Sequence, residues 1–166
     1  QTIAHNTITQ NEISHFNNDF ETGSKNHPDK YLFDVADNNF QIVSAKEKIA
    51  YPGTAFHRTF IMIKEAEFTK PFIVDINKVT SNKKNQYDLP FYYFGQIIST
   101  SFKYETSKTL STLGNKNGYQ HIWREASGKA NQESIQFTWL DNKRFYTITS
   151  ATTKEDEIIL ARIGAN

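Results

Sequence analysis

The stretch SIQFTWLDNKRFYTITSATTKEDEIILARI, residues 134–163, decides the fold class. Residues 134–140 largely alternate polar and apolar side chains, which is the period of half-buried strands, and residues 144–150 and 157–163 are short runs rich in aromatic, β-branched and aliphatic residues. Asp141 and Asn142 are turn formers between the first two runs, and a charged turn precedes the third. The stretch therefore predicts a three-stranded antiparallel meander.

The same period extends toward the N-terminus. Residues 55–63 and 71–79 are the strongest further runs, and the link between them is too short for a crossover helix, so they should pair antiparallel. Further strands are predicted over residues 2–9, 12–16, 31–35, 40–45 and 119–125, with polar excursions over 105–118 and 126–133. No sustained helical spacing or internal repeat is present. We predict one domain over residues 1–166, an all-β antiparallel two-sheet β-sandwich of about ten strands.

Composition narrows the classes of function. The 166 residues include 13 Phe and 8 Tyr, an aromatic content that suits pleated sheets. Basic and acidic residues number 19 and 18, so the net charge of +1 supplies no global field for nucleic acid or an anionic membrane. The absence of Cys excludes disulfides, a thiolate nucleophile and Cys-bound metal.

Recognised catalytic motifs are absent. The sequence contains no G-x-S-x-G elbow, glycine-rich phosphate loop, H-E-x-x-H pair or calcium loop. Its paired carboxylates lie in predicted turns, where solvated charge is the ordinary explanation. His5, His15 and His27 are conceivable metal ligands, although their spacing is much looser than that of known zinc motifs.

Two groups of side chains suggest ligand binding, and each also has an ordinary structural interpretation. Five lysines could face an anionic polymer, or could protect sheet edges from aggregation: Lys78, Lys83, Lys84, Lys103 and Lys108. Tyr119, Trp123 and Trp139 could form a platform for sugar rings, whereas residues of these types are more often found in the core.

Several short blocks resemble one family of enzymes. The opening QTIAHNT, residues 1–7, is similar to the A-H-N-T element of the heparinase II/III-like polysaccharide lyases, where the chain enters the central β-sandwich. Further blocks resemble the alginate lyases of polysaccharide lyase family 17, in the same order along the chain: NGYQHIW (117–123), FTWL (137–140), RFY (144–146) and ARIGAN (161–166).

The resemblance implies a role in cleaving a uronate polymer such as alginate. In that family an N-terminal α/α toroid and the sandwich form the cleft together, and the reaction is a β-elimination. The family's catalytic groups mostly precede the point that matches Gln1, so no catalytic residue is assigned here and the substrate-binding residues stay open. We expect an active parent lyase of which this chain is one part, inactive by itself.

Three further expectations concern site residues. His5, from the A-H-N-T element, is implied to be a ligand of a structural zinc whose His and Asp partners lie upstream, so the site would be incomplete in this chain. Asn6 and Thr7 are expected to fix strand geometry. Tyr51 and His121 remain as residues that could reach the cleft, without a motif that assigns them a catalytic role.

The setting of the protein is also an expectation from the resemblance. No run of apolar residues approaches the length of a membrane span, and the opening residues do not look like a natural start. We expect a bacterial periplasmic or secreted enzyme that does not bind nucleic acid. The alternatives are a carbohydrate-binding sandwich without catalysis and a structural interaction domain.

Overall fold

The computed structural model describes residues 1–164, so Ala165 and Asn166 of the ARIGAN block lie outside the described part. Twelve strands occur within that part, and every pairing between them is antiparallel. The strands are β1 Thr9–Gln10, β2 Asp29–Asp34, β3 Phe40–Tyr51, β4 Thr54–Ile63, β5 Phe72–Ser81, β6 Tyr87–Asp88, β7 Gln96–Thr100, β8 Glu105–Thr112, β9 Ile122–Lys129, β10 Ser134–Asp141, β11 Arg144–Ala151 and β12 Glu157–Ile163. Short 3-10 helices cover Thr2–Ala4, His15–Asn18 and Tyr119–His121, and helix α1 covers Phe20–Ser24. The all-β prediction is confirmed.

The chain forms two compact units. Unit 1 contains Gln1 and residues Thr9–Asp88, and unit 2 contains Thr2–Ile8 together with the residues from Leu89 onward. The expectation of a single domain over residues 1–166 stays a prediction.

Unit 1 is built on a four-stranded sheet in the order β2-β3-β4-β5. The predicted hairpin of residues 55–63 and 71–79 is confirmed as β4 and β5, which pair without interruption from Thr54–Ser81 to Ile63–Phe72. Strand β3 carries a bulge between Glu47 and Tyr51 before it turns into β4. A two-stranded sheet of β1 and β6 completes the unit.

Unit 2 contains two three-stranded sheets, in the orders β11-β10-β7 and β12-β9-β8. Buried Phe102, Ala130 and Ile135 form a core cluster against which Ile158 and Leu160 pack. Ile135 belongs to β10 of the first sheet and Ile158 and Leu160 to β12 of the second, so the apolar core lies between the sheets. Unit 2 is thus an antiparallel sandwich, the predicted class.

Residues 2–8 are packed within unit 2. Ile3 is buried with Tyr119 and Ile122, and partly buried Leu113 packs on them. The hydroxyl of Tyr92 donates a hydrogen bond to the Ile3 carbonyl at 2.6 Å. The A-H-N-T segment is therefore held by one tyrosine and a small apolar cluster.

Several local predictions were wrong. Strand β12 was expected to be the third strand of a meander with β10 and β11, but it pairs with β9 instead. Residues 2–9 and 12–16 are mostly short 3-10 segments, bends and turns rather than strands, and β8 lies within the polar stretch 105–118 that was expected to be an excursion. Strand β9 likewise runs through residues 126–129. For β8, β9 and β12, pairing with strands elsewhere in the chain decided the outcome, and local composition does not report such pairing.

The hairpin turn is shifted by one residue from its prediction. Asn142 and Lys143 have φ values of 45° and 67°, and positive φ at both central residues is characteristic of a tight type I′ turn.

Among residues 1–164 no helix has the length and apolar character needed to cross a membrane.

Candidate functional site

A row of polar residues crosses the four-stranded sheet of unit 1. Register places Asp29 of β2 beside Lys46 of β3, Lys46 beside His57 of β4, and His57 beside Lys78 of β5. Because directly paired residues of neighbouring strands project to the same side of a sheet, all four side chains lie on one face. Two lysines and a histidine are thus aligned across three strands.

This row forms the floor of a groove with a volume of about 370 Å³. Its lining is polar and rich in cations, and consists of Asp29, Lys30, Tyr31, Lys46, Glu47, Lys48, Ala55, Phe56, His57, Lys78 and Thr80. We call this the basic groove. Four lysines against two carboxylates give it a net charge of about +2 without counting His57, although the whole chain is nearly neutral.

Successive side-chain contacts fix the position of Lys46, Tyr31 and His57 at the centre of the basic groove. The ammonium of Lys46 lies 3.3 Å from the centroid of the Tyr31 ring, a cation–π contact. The Tyr31 ring packs edge-on against His57, with centroids 4.9 Å apart. His57 Nε2 lies 2.7 Å from the Oγ atom of Ser44, which is 3% exposed and also lies 2.7 Å from Thr59 Oγ1. The groove is anchored in a buried polar network.

The acidic residues of the groove neutralise its lysines only in part. Glu47 Oε1 accepts hydrogen bonds from the backbone N–H groups of Ile49 and Ala50, at 2.6 and 3.1 Å, so its carboxylate stabilises the bulge of β3. Among the residues that the structure describes, none of the four groove lysines forms a salt bridge. Such a site favours an anionic ligand.

Tyr51 does not line the basic groove. It is 4% exposed, and its ring packs against His15 and Phe56 with centroids 5.1 and 5.7 Å apart. Its hydroxyl donates to the Ile13 carbonyl at 2.5 Å, and burial raises the pKa of Tyr51 to about 12. Tyr51 therefore has a structural role in unit 1.

His5, the predicted metal ligand, is exposed and follows the first 3-10 turn. Its N–H donates to the Thr2 carbonyl at 3.1 Å and its carbonyl accepts from Thr7 at 2.7 Å. Within residues 1–164 no group of three or more His, Asp or Glu side chains could hold a metal ion. His5 belongs to unit 2, whereas His15 and His27 belong to unit 1. The described residues by themselves do not supply a ligand set for a structural zinc.

Asn6 has a structural contact, whereas His121 is exposed. Asn6 Oδ1 accepts from the backbone N–H of Tyr92 at 2.8 Å, so it fixes backbone geometry in a bend rather than in the predicted strand. The carbonyl of His121 accepts from the N–H of Gly164 at 3.0 Å.

The three aromatic residues considered as a platform for sugar rings do not form one cluster. Tyr119 is 3% exposed and belongs to the core, and Trp123 on β9 is half-buried. Trp139 on β10 stacks on Tyr146 of β11, with centroids 5.3 Å apart and planes inclined by 18°. The rings of Phe91, Tyr93 and Phe137 also contact Trp139. Only Trp139 thus belongs to a partly exposed aromatic cluster.

The five lysines singled out in the sequence do not gather at one site. Lys78 lines the basic groove, while Lys83 and Lys84 lie beyond β5 and do not line it. Lys103 and Lys108 belong to unit 2. Sequence reasoning missed Tyr31, Lys46 and His57. The strand register would have revealed them, since the β4–β5 hairpin aligns His57 with Lys78.

Comparison with known proteins gives one family and two curated relatives. Residues 1–161 match the family described as heparinase II/III-like, C-terminal. The chain is 38% identical over 170 residues to an exo-oligoalginate lyase from Saccharophagus degradans, covering all of this chain and 23% of that protein. It is 37% identical over 167 residues to an alginate lyase from Stenotrophomonas maltophilia, covering 22% of that protein. The chain thus spans less than a quarter of the length of these relatives.

Proposed function

Since the chain belongs to the heparinase II/III-like, C-terminal family, we propose that it is the β-sandwich domain of a lyase that cleaves alginate or a related uronate polymer by β-elimination. The observation that carries the proposal is the identity of 37–38% to two alginate lyases, maintained over the whole chain.

The reaction assigns different tasks to different groups. Removal of the C5 proton next to the uronate carboxylate builds up enediolate charge, so hydrogen-bond donors must neutralise the carboxylate while an acid–base group transfers the proton. Tyr51 is poorly suited to the proton transfer, because its hydroxyl is buried and bonded to Ile13. The catalytic groups in this proposal lie in the rest of the lyase.

An α/α toroid domain is the proposed partner, and the sheet of unit 1 supports the presence of a partner. Both of its faces expose large apolar side chains: Leu32, Phe40, Phe72 and Ile76 on one face, and Phe33, Val43, Phe60 and Ile73 on the other. An isolated antiparallel sheet ordinarily keeps one face polar. Exposed apolar surface on this scale is typical of an interaction surface.

Zinc remains part of the proposal through His5 alone. The proposal requires two further ligands from outside the described residues, since these do not supply a set of three. A zinc bound in this way would stabilise the fold next to the cleft, and no chemical step is assigned to it. We also propose that the lyase is periplasmic or secreted, which fractionation of the source cells would test.

A carbohydrate-binding module without catalysis is the second candidate. It is favoured by the partly exposed cluster around Trp139 and Tyr146, because aromatic faces pack on the apolar faces of sugar rings. Quenching of tryptophan fluorescence by uronate oligosaccharides that is lost in Trp139→Leu, without any cleavage by the longer protein, would favour this alternative.

The deciding experiment compares this chain with the full-length lyase proposed to carry it. Both are incubated with alginate, heparan sulfate and hyaluronan oligosaccharides, and the ultraviolet absorbance of the unsaturated product is followed. We expect the full-length protein to cleave alginate and this chain to be inactive. Cleavage by this chain alone would contradict the placement of the catalytic groups, and an inactive full-length protein would contradict the assignment as a lyase.

A further inference from the structure

We infer that the basic groove on the sheet of unit 1 binds the carboxylate groups of a uronate oligosaccharide. The identity of the ligand rests on the proposed function, whereas the site rests on the geometry of β2 to β5. Lys46 and Lys78 are its principal cations and Tyr31 positions one of them.

The first argument is charge complementarity. Lys30, Lys46, Lys48 and Lys78 line one groove of a chain that has a net charge of only +1. Glu47 is committed to the backbone of the β3 bulge, which leaves Asp29 as the one groove carboxylate without such a bond among the described residues. Asp29 lies beside Lys46 and neutralises the four lysines only in part, so they repel one another. An anionic ligand would relieve that repulsion.

The second argument is that one cation is held in place before a ligand arrives. A lysine side chain ordinarily loses rotamer freedom when it binds. The Lys46 ammonium already rests over the Tyr31 ring, and that ring is buttressed by His57. His57 is in turn bonded to buried Ser44. This arrangement lowers the entropic cost of contacting a carboxylate.

The third argument concerns ligand size. Lys46 and Lys78 flank His57 on adjacent strands, so their backbones are roughly 10 Å apart, or two strand spacings. A chain with several carboxylates can contact both lysines at once, and the second contact then benefits from the first. We therefore expect a trisaccharide to bind more tightly than a monosaccharide.

Calorimetric titration of the protein with a mannuronate trisaccharide tests the site. The variant Lys46→Gln/Lys78→Gln should bind about tenfold more weakly. The control Lys83→Gln/Lys84→Gln removes the same charge from a loop outside the groove and should change affinity by less than about twofold. Tyr31→Leu keeps every charge and should weaken binding about threefold, with circular dichroism verifying the fold.

A trisaccharide whose carboxyl groups have been reduced to alcohols is the neutral probe. It should bind at least about tenfold more weakly than the uronate. Equal affinity for the two sugars, or equal weakening by the groove and loop variants, would overturn the inference. Failure of the groove is distinguishable from failure of the proposed function, because the latter shows as an absence of unsaturated product from the full-length lyase whatever these affinities are.

Discussion

The hydroxyl of Tyr51 donates a hydrogen bond of 2.5 Å to the carbonyl of Ile13, 38 residues earlier in the chain. The same oxygen accepts a longer bond of 3.3 Å from the N–H of Gln10. One phenol therefore joins the turn after β1 to the end of β3. Because Tyr51 is 4% exposed, water cannot easily replace either bond.

Tyr51→Phe should lower the free energy of unfolding by about 1–2 kcal/mol, because it leaves the Ile13 carbonyl and the Gln10 N–H without this partner. Urea denaturation followed by fluorescence measures the change. Tyr87→Phe is the control, since Tyr87 is exposed and should cost less than about 0.5 kcal/mol. Equal effects of the two substitutions would contradict the structural role of Tyr51.

Alkaline pH should destabilise the protein through the same residue. Burial raises the pKa of Tyr51 from 10.0 to about 12 in the folded protein. The neutral phenol is the form that the fold stabilises, so this contribution is fully present below pH 10 and is lost as pH rises toward 12. Urea midpoints measured from pH 9 to 12 should fall less steeply for Tyr51→Phe than for the parent. Parallel pH profiles for the two proteins would be the contrary result.

The fold class could be predicted from the sequence because alternation and turn residues act locally. The β4–β5 hairpin followed from two apolar runs with a short link. Strand β8 could not be predicted in this way, since its Ser, Thr and Lys residues are typical of a loop and its strand form depends on pairing with β9. The pairing of β12 with β9 could not be predicted either, because it depends on packing between residues far apart in sequence.

Of the residues that line the candidate site, only Lys78 was singled out from the sequence as a possible ligand contact. Lys78 was singled out as one of a set of lysines, and the structure places it in the basic groove. Lys46 and Tyr31 belong to different strands, and their meeting depends on the β2–β3 register, which contains a bulge between Lys30 and Leu32. A shift of one residue would move these side chains to the opposite face.

Gly95→Ala should destabilise unit 2 by more than about 2 kcal/mol. Gly95 has a φ of 101°, and an added Cβ atom would lie 2.1 Å from the carbonyl oxygen of Leu140. Gly23→Ala is the matched control, because its new atom would approach only the Phe16 ring, at 3.4 Å. Thermal denaturation of both variants measures the difference. A Gly95→Ala protein as stable as Gly23→Ala would show that this close approach is not required.

His5→Ala tests the zinc proposal in the full-length lyase. We expect a lower zinc content by plasma mass spectrometry and a lower melting temperature, with little change in affinity for the oligosaccharide. His27→Ala is the control, since His27 is exposed and its ring contacts only the Pro28 carbonyl among its described hydrogen-bond partners. Unchanged zinc stoichiometry in His5→Ala would remove this residue from the site.

Strand β12 belongs to a different sheet from its sequence neighbours β10 and β11, and this arrangement has a consequence for the order in which the parts of unit 2 fold. The β10–β11 hairpin closes through two central turn residues and needs few others to be ordered first. Strand β12 pairs with β9 from Glu157–Lys129 to Ile163–Ile122, so this ladder encloses the whole hairpin. Because closing longer loops carries a larger entropic cost and slows folding, the hairpin should form early and the β9–β12 ladder late. Until that ladder forms, one side of the sandwich core remains open to solvent.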